Sequence, residues 1–260
     1  MKHYLQVYQK FVSTAFTQAS SFRISFFLVI LMDLFFYFST LASVIFIYDH
    51  VEYIGVWQKS QLMFFISFML TLDWLHMTLF SESFWMMGEH IRTGSLDFIL
   101  LRPIHSIFSV FFRHFRPATM VNGLVAIFFL IKYGLALNLS PLSWALTPFL
   151  IILGLTLLLI IEIIISIAMF WIVEGLGVNF LRMQIQHLSR WPDFIYASLT
   201  RKVLTIFLPV LLIGSGPVRF LYDYKDYKLL IGLIIAIIIS WKLMLILWNV
   251  GLKKYDSASS

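Results

Sequence analysis

Four ionisable residues sit where water is scarce. Asp33, Asp73, His76 and Glu162 each interrupt a long apolar run, and an unpaired charge near a bilayer centre costs roughly 2.5 to 3.5 kcal/mol on insertion scales. They must therefore face protein, water or a partner. Asp73 and His76 are three residues apart, on one face of a helix, a spacing that allows a proton relay. Each group has two readings: a hydrogen bond that fixes helix packing, or a lining residue of a substrate or ion path. Other chemistries are excluded. There is no cysteine, so no thiol nucleophile and no Cys-ligated metal. No G-x-x-x-x-G-K-S/T loop occurs to cradle nucleotide phosphates, and no H-E-x-x-H. The seven histidines lack metal-ligand spacing. Gly214-Ser215-Gly216 lacks the G-x-S-x-G frame of a serine nucleophile and reads as a bend. No catalytic residue, metal site or cofactor is expected on this chain.

The elements that must position these groups are membrane helices. Of 260 residues 60% are hydrophobic and 12% charged, and the mean hydropathy is +0.90, which excludes a soluble globular domain. Apolar runs at Ile24–Ile47, Leu62–Phe80, Ala118–Leu139, Leu146–Val173 and Leu229–Val250 are each long enough to span a bilayer. The basic balance, +6, reads as a topology signal rather than as a nucleic-acid footprint. One more crossing is expected between Glu174 and Lys228. If it is Val203–Val218, thirteen Lys and Arg residues fall on the side of the termini and four (Lys59, Arg219, Lys225, Lys228) on the other. If instead Gly175–Leu188 crosses and Trp191–Leu221 is a re-entrant hairpin, the count falls to nine against seven, because Arg182 enters the span and Arg190, Arg201 and Lys202 change sides. Either way both termini are cytoplasmic.

Before the first span, Tyr4, Tyr8, Phe11, Ala15, Ala19 and Phe22 recur at helical steps, so residues 1–23 read as an amphipathic helix lying at the membrane surface. They do not read as a secretory signal, since the following apolar run is too long.

The long loop 81–117 alternates helix and stop. Ser81 can cap a helix that Gly94 ends in the left-handed conformation. Ser95 can cap a second one, Leu96–Leu101, with Asp97 in its first turn and Pro103 as the stop. Ile104–Phe115 suits a helix resting on the membrane. The stub either presents Phe98, Leu100 and Leu101, flanked by Arg92 and Arg102, to a soluble motor or folds back on the spans.

The run Arg92-Thr93-Gly94-Ser95-Leu96-Asp97-Phe98-Ile99-Leu100-Leu101-Arg102-Pro103 resembles the R-x-G-x-L-D-x-x-L-L-x-P signature of permease subunits of ATP-binding-cassette (ABC) transporters of the type-2 exporter class. Arg190-Trp191-Pro192-Asp193-Phe194-Ile195-Tyr196, continuing through Pro209 to Gly216-Pro217, is similar to the Y-P-x-x-I-Y pattern of one bacterial branch of that class, with Trp191 in place of its tyrosine and Thr200-Arg201 in place of a leucine–arginine pair. Ala168-Met169-Phe170-Trp171 resembles its A-F-W motif with a methionine inserted. The resemblance implies an all-α polytopic protein of the bacterial plasma membrane: an interfacial helix (1–23) followed by a six-span domain (24–260). It also implies a second permease, identical or homologous, and a separate ATPase that holds ATP and Mg. Residues 94–103 would be the helix that couples to that ATPase, and Pro192, Pro209, Gly214, Gly216 and Pro217 would shape the re-entrant hairpin. Export of a hydrophobic or amphipathic cargo is then expected. A proton-coupled carrier or intramembrane enzyme using Asp73, His76 and Glu162 is the competing expectation.

Overall fold

The computed structural model describes residues 2–21, 23–172 and 175–255, so Phe22 and Val173 of the expected elements lie outside the described residues. In chain order the helices are α1 (Lys2–Ser21), α2 (Arg23–Tyr48), α3 (Lys59–Leu79), α4 (Ser81–Arg92), α5 (Ser95–Leu100), α6 (Ser106–Phe111), α7 (Pro117–Met120), α8 (Asn122–Ala136), α9 (Pro141–Ser166), α10 (Gly175–Ser189), α11 (Ser198–Ile206), α12 (Leu212–Tyr222) and α13 (Lys228–Lys254). Short 3-10 turns cover Ile167–Phe170 and Asp193–Ile195. Among the described residues the fold is entirely helical, apart from a single bridge, Ile54–Trp57, that closes a turn.

Five of these segments are long and apolar enough to cross a membrane: Ile24–Tyr48, Lys59–Leu79, Pro117–Ala136, Pro141–Phe170 and Lys228–Lys254. They match the five apolar runs because uninterrupted hydrophobic sequence in lipid has only the helix with which to satisfy its backbone. Their burial differs sharply. The most apolar windows of α3 and α9 are 78% and 67% buried, those of α2 and α13 only 17%. The core is therefore α3 and α9, with α8 packed on α3, α12 and α13 packed on α9, and α2 at the edge.

The expected continuous crossing over Val203–Val218 does not form. Helix α11 stops at Ile206 and α12 starts at Leu212, because Pro209 has no N–H to donate and the chain turns there, with Leu211 N–H donating to Leu204 O at 3.2 Å. The expected bend at Gly214-Ser215-Gly216-Pro217 is not the break either, since α12 runs through all four residues. Their smallness serves close packing instead. Gly214 lies against Phe65 and Met69, and Gly216 against the Leu229 backbone. Pro217 cannot donate to Ile213, and that carbonyl sits over Gly154 of α9, where a Cβ would come within 2.6 Å. Ser215 Oγ accepts the Asp193 N–H at 3.0 Å.

Both ends of this segment return to one place. The Phe194 and Tyr222 rings lie 4.8 and 5.6 Å from the ring of Trp57, in the loop between α2 and α3, and Arg219 binds Asp193 at 2.7 Å. At the turn, Val210, Leu211, Leu212 and Ile213 are buried in protein, the condition under which irregular backbone persists within a bundle. The two ends of the 191–221 segment thus meet at one end of the bundle, with the turn at Pro209 between them. The opposite end gathers α1, α4 to α7 and the close of α13: Tyr4 meets Phe108 at 5.1 Å, Phe16 meets Phe115 at 5.8 Å, and Trp248 Nε1 donates to Ser106 Oγ at 2.9 Å.

Replacing Gly154 by leucine forces a side chain into the Ile213 carbonyl. Overpacking of this kind costs about 1 to 3 kcal/mol, so Gly154→Leu is expected to lower the thermal unfolding midpoint in detergent, with Gly177→Leu, which meets nothing within 4 Å, as the control.

Candidate functional site

Helix α10 and the residue that follows it supply what the buried acids need. Along α10 and into the turn that ends it, Arg182, Gln186 and Arg190 recur every four residues and so share one stripe. Glu162 on α9 is fully buried, and its two oxygens have separate partners: Oε1 accepts from Arg182 NH1 at 3.2 Å, Oε2 from His76 Nε2 at 2.6 Å. The guanidinium of Arg182 also donates from Nε to Asn179 Oδ1 at 3.3 Å and lies 4.8 Å over the Phe84 ring. Asp73 Oδ1 accepts from Arg190 NH2 at 2.8 Å and from Gln186 Nε2 at 3.0 Å. The Gln186 amide also reaches His76 Nδ1 at 3.4 Å. An amide nitrogen only donates, so this pattern assigns Nδ1 as acceptor and places the His76 proton on Nε2, facing Glu162.

Asp73 and His76 do share a helix face, but they meet through Gln186 rather than directly, so the expected two-residue relay is not formed. Asp33 stands apart: it accepts from Asn122 Nδ2 at 2.9 Å, tying α2 to α8. It shares with Asp73, Tyr37 and Arg190 the wall of a cavity of about 370 Å³ between α2, α3 and α10. The charges within the network balance, Glu162 against Arg182 and Asp73 against Arg190. Such balance lets both acids and Arg182 stay buried, with Arg190 half-buried; in low dielectric an isolated partner is expelled or neutralised. Sequence reasoning missed Asn179, Arg182, Gln186 and Arg190 as partners. The signal that could have found them is their spacing on one short helix, beside two apolar runs that each carried an unexplained acid. Among the described residues no group of three or more His, Asp or Glu could hold a metal ion.

At the bundle end that holds α1, the loop 81–117 folds into a rigid joint. Gly94 adopts φ 71°, a left-handed conformation in which glycine avoids the Cβ clash, and turns α4 into α5. Two expected caps differ. Phe80 and Gly94 occupy the cap positions, Ser81 and Ser95 are the first helical residues, and neither cap supplies a side-chain hydrogen bond. Ser95 Oγ instead pairs with His90 Nδ1 at 2.9 Å and Thr93 Oγ1 at 3.0 Å, fastening the stub to α4.

Leu96 and Ile99 are buried beneath α5, whereas Phe98 is 73% and Leu101 81% exposed. Leu100, expected to be exposed, is half-buried, because a six-residue helix has room for only one outward stripe. Asp97 lies in the first turn, facing Tyr255, whose phenol is raised by burial and by that carboxylate. Arg92 pairs loosely with Glu89 at 3.7 Å, and Arg102 and Pro103 follow the stub in a bend. The surface helix expected over Ile104–Phe115 is shorter, Ser106–Phe111, and inserted rather than resting: Ile107, Val110 and Phe111 are buried, with Phe111 5.7 Å from Trp248. The phenylalanines of this stretch are used within the protein: Phe111 against α13, Phe108 and Phe115 against α1, and Phe112 against Phe80.

A family model described as "ABC-2 family transporter protein" matches residues 27–259. No curated protein and no solved structure matches the chain.

Two predictions follow from these contacts. Cutting Glu162 from its partners leaves Arg182 buried and uncompensated, so Glu162→Leu is expected to cost about 3 to 5 kcal/mol. The double variant Glu162→Leu/Arg182→Met should recover much of that loss in the same thermal or denaturant assay. In the joint, His114 stacks on His90 at 5.8 Å, and its imidazole is pushed down to about 4 by burial, by Arg113 and by His90, which is itself lowered mainly by burial. A lowered folded value means that the unfolded chain takes up the proton first. The stability held by the neutral rings is therefore complete above about pH 6.5 and is lost as pH falls towards about 4. His114→Gln should flatten the unfolding midpoint measured across that window.

Proposed function

The chain belongs to the ABC-2 family of transporter proteins and is a multi-pass permease subunit of an ABC transporter; on that premise we propose how it receives and uses the power of its ATPase. Helix α5 is the coupling helix. Phe98 and Leu101 enter a groove on the ATPase, Arg92 and Arg102 set orientation, and the ATPase holds ATP and Mg. The observation that carries this reading is the two-faced stub: one face locked by Leu96, Ile99 and the Ser95–His90 bond, the other presenting two large apolar side chains. A push on Phe98 is then delivered to α4 rather than absorbed by a flexible loop. Leu100, Ser95 and Gly94 act from beneath, as the stub's footing.

From α4 the displacement reaches the membrane through two contacts. Helix α4 follows α3 at Phe80 without a loop, and Gly88 of α4 lies against Gly175 at the start of α10. The network ties α3, α9 and α10 into one body, so these helices tilt together, and ATP-driven closure selects between two exposures of a path.

Within this reading α10 is the sixth crossing, 191–221 a re-entrant hairpin on the outer side, and both termini lie in the cytoplasm of a bacterial cell. Helix α1, with Tyr8, Phe11, Ala15 and Ala19 half-buried on one face, is the interfacial helix. The exposed faces of α2 and α13 are left for lipid and for a second permease, identical or homologous. The cargo is hydrophobic or amphipathic and the direction is export. The pairing of Glu162 with His76 and Arg182, and of Asp73 with Arg190 and Gln186, supports structural roles for these residues rather than a proton-coupled carrier or an intramembrane enzyme.

Phe98→Asp and Leu101→Asp place a charge on an exposed stripe and should leave the thermal midpoint of the isolated chain within about 0.5 kcal/mol of the original. ATPase co-purification and ATP-dependent transport should both fall by at least tenfold. Unchanged assembly and transport in both variants would remove α5 from the coupling role.

A further inference from the structure

A cavity of about 830 Å³ lies away from the polar network, at the bundle end that holds α1. Helix α1 forms one wall, the first turns of α2 a second, and the stretch from Arg113 to Ala118 the third. Its surface divides by chemistry. Phe11, Ala15, Phe26 and Val29 make an apolar trough beside the point where α2 begins its hydrophobic run at Ile24. Lys10, Arg113 and Arg116 stand around it, against a single acid, Glu82, which is held 3.7 Å from Arg116. No ion pair is formed by Lys10 or Arg113 among the described residues. Arg113 is half-buried with Arg102 nearby, and burial and that like charge both disfavour its guanidinium. A site with two excess cations and a greasy floor is unsatisfied as it stands.

We propose that this cleft binds one anionic glycerophospholipid, its phosphate on Lys10 and Arg113 and one acyl chain in the trough between α1 and α2. The occupant is fixed by complementarity. The floor needs a hydrocarbon chain, the rim needs a negative headgroup, and the cleft opens where a hydrophobic helix leaves the headgroup layer. A zwitterionic lipid fills the floor but leaves the rim charges opposed; a free phosphate satisfies the rim and leaves the trough empty. The bound lipid would act as the missing side of the joint, holding α1 against the segment that precedes α7. The inference rests on the membrane reading of the chain but not on coupling through α5.

The test uses the full chain with any ATPase that accompanies it in mild detergent. Phosphatidylglycerol and phosphatidylcholine of matched acyl chains are titrated separately, and bound lipid is counted by native mass spectrometry. Phosphatidylglycerol should be retained at least tenfold more strongly, a preference that weakens as salt rises. Lys10→Gln and Arg113→Gln should each reduce it about fivefold while leaving phosphatidylcholine retention and ATPase co-purification unchanged. Ala15→Trp, which fills the trough, should reduce retention of both lipids.

Equal retention of the two lipids, or a preference that survives Lys10→Gln/Arg113→Gln, overturns the proposal. Displacement of phosphatidylglycerol by an equal concentration of inorganic phosphate overturns it in favour of a simple anion site. Retention by the isolated chain that vanishes when the ATPase or a second copy is bound overturns it in favour of a protein seat. Failure of the coupling reading shows in the Phe98 and Leu101 variants alone and leaves these lipid outcomes untouched.

Discussion

A charge inside a membrane bundle has to be answered by another charge inside the same bundle, and this requirement organises the molecule. Glu162 divides its two oxygens between His76 and Arg182, and Asp73 divides its load between Arg190 and Gln186. Three helices that are distant in sequence thereby acquire one relative position. Hydrophobic packing alone would specify it poorly, because lipid and leucine are nearly equivalent surroundings for an apolar helix. Every partner is at once a stabiliser and a hostage, since removing it strands the other in a medium that cannot solvate it. The small residues complete the arrangement: at Gly154 and Gly214 backbones come close enough that the hairpin is gripped by the core instead of lying on it.

The five long spans and the stub were legible in the sequence because each is set by a local property, an uninterrupted apolar run or a left-handed glycine followed by a proline. The hairpin was legible only in part. Counting basic residues favoured a crossing at Val203–Val218, yet two of the seven cations that the hairpin arrangement puts on the far side, Arg190 and Arg219, are engaged with Asp73 and Asp193. A cation already neutralised inside the fold carries little weight in choosing a side, and a tally of letters cannot tell it from a free one. The polar network was invisible for a related reason. Asp73 and His76 look like a pair at three residues' separation, while their actual partners are 113 and 86 residues away, at Gln186 and Glu162. The surface helix expected over Ile104–Phe115 failed because phenylalanine facing lipid and phenylalanine facing a tryptophan read alike until α13 is in place.

Rigidity is distributed unevenly, and the unevenness suits a transmission. The stub is fastened underneath by leucine, isoleucine and a serine–histidine bond, and α4 passes from it to α3 with no slack. The outward faces of α2 and α13 are mostly unclaimed by the chain itself, while the inner face of α13 is packed on α9 and α12.

The hairpin that comes back to the side it left has a bookkeeping consequence for the chain's ancestry. A loop that dips and returns adds an even number of passages, namely none, so lengthening it, shortening it or deleting it whole never inverts the helix that follows. On the proposed topology, changes of length in its exposed arm, α11, would leave α13 facing the same side.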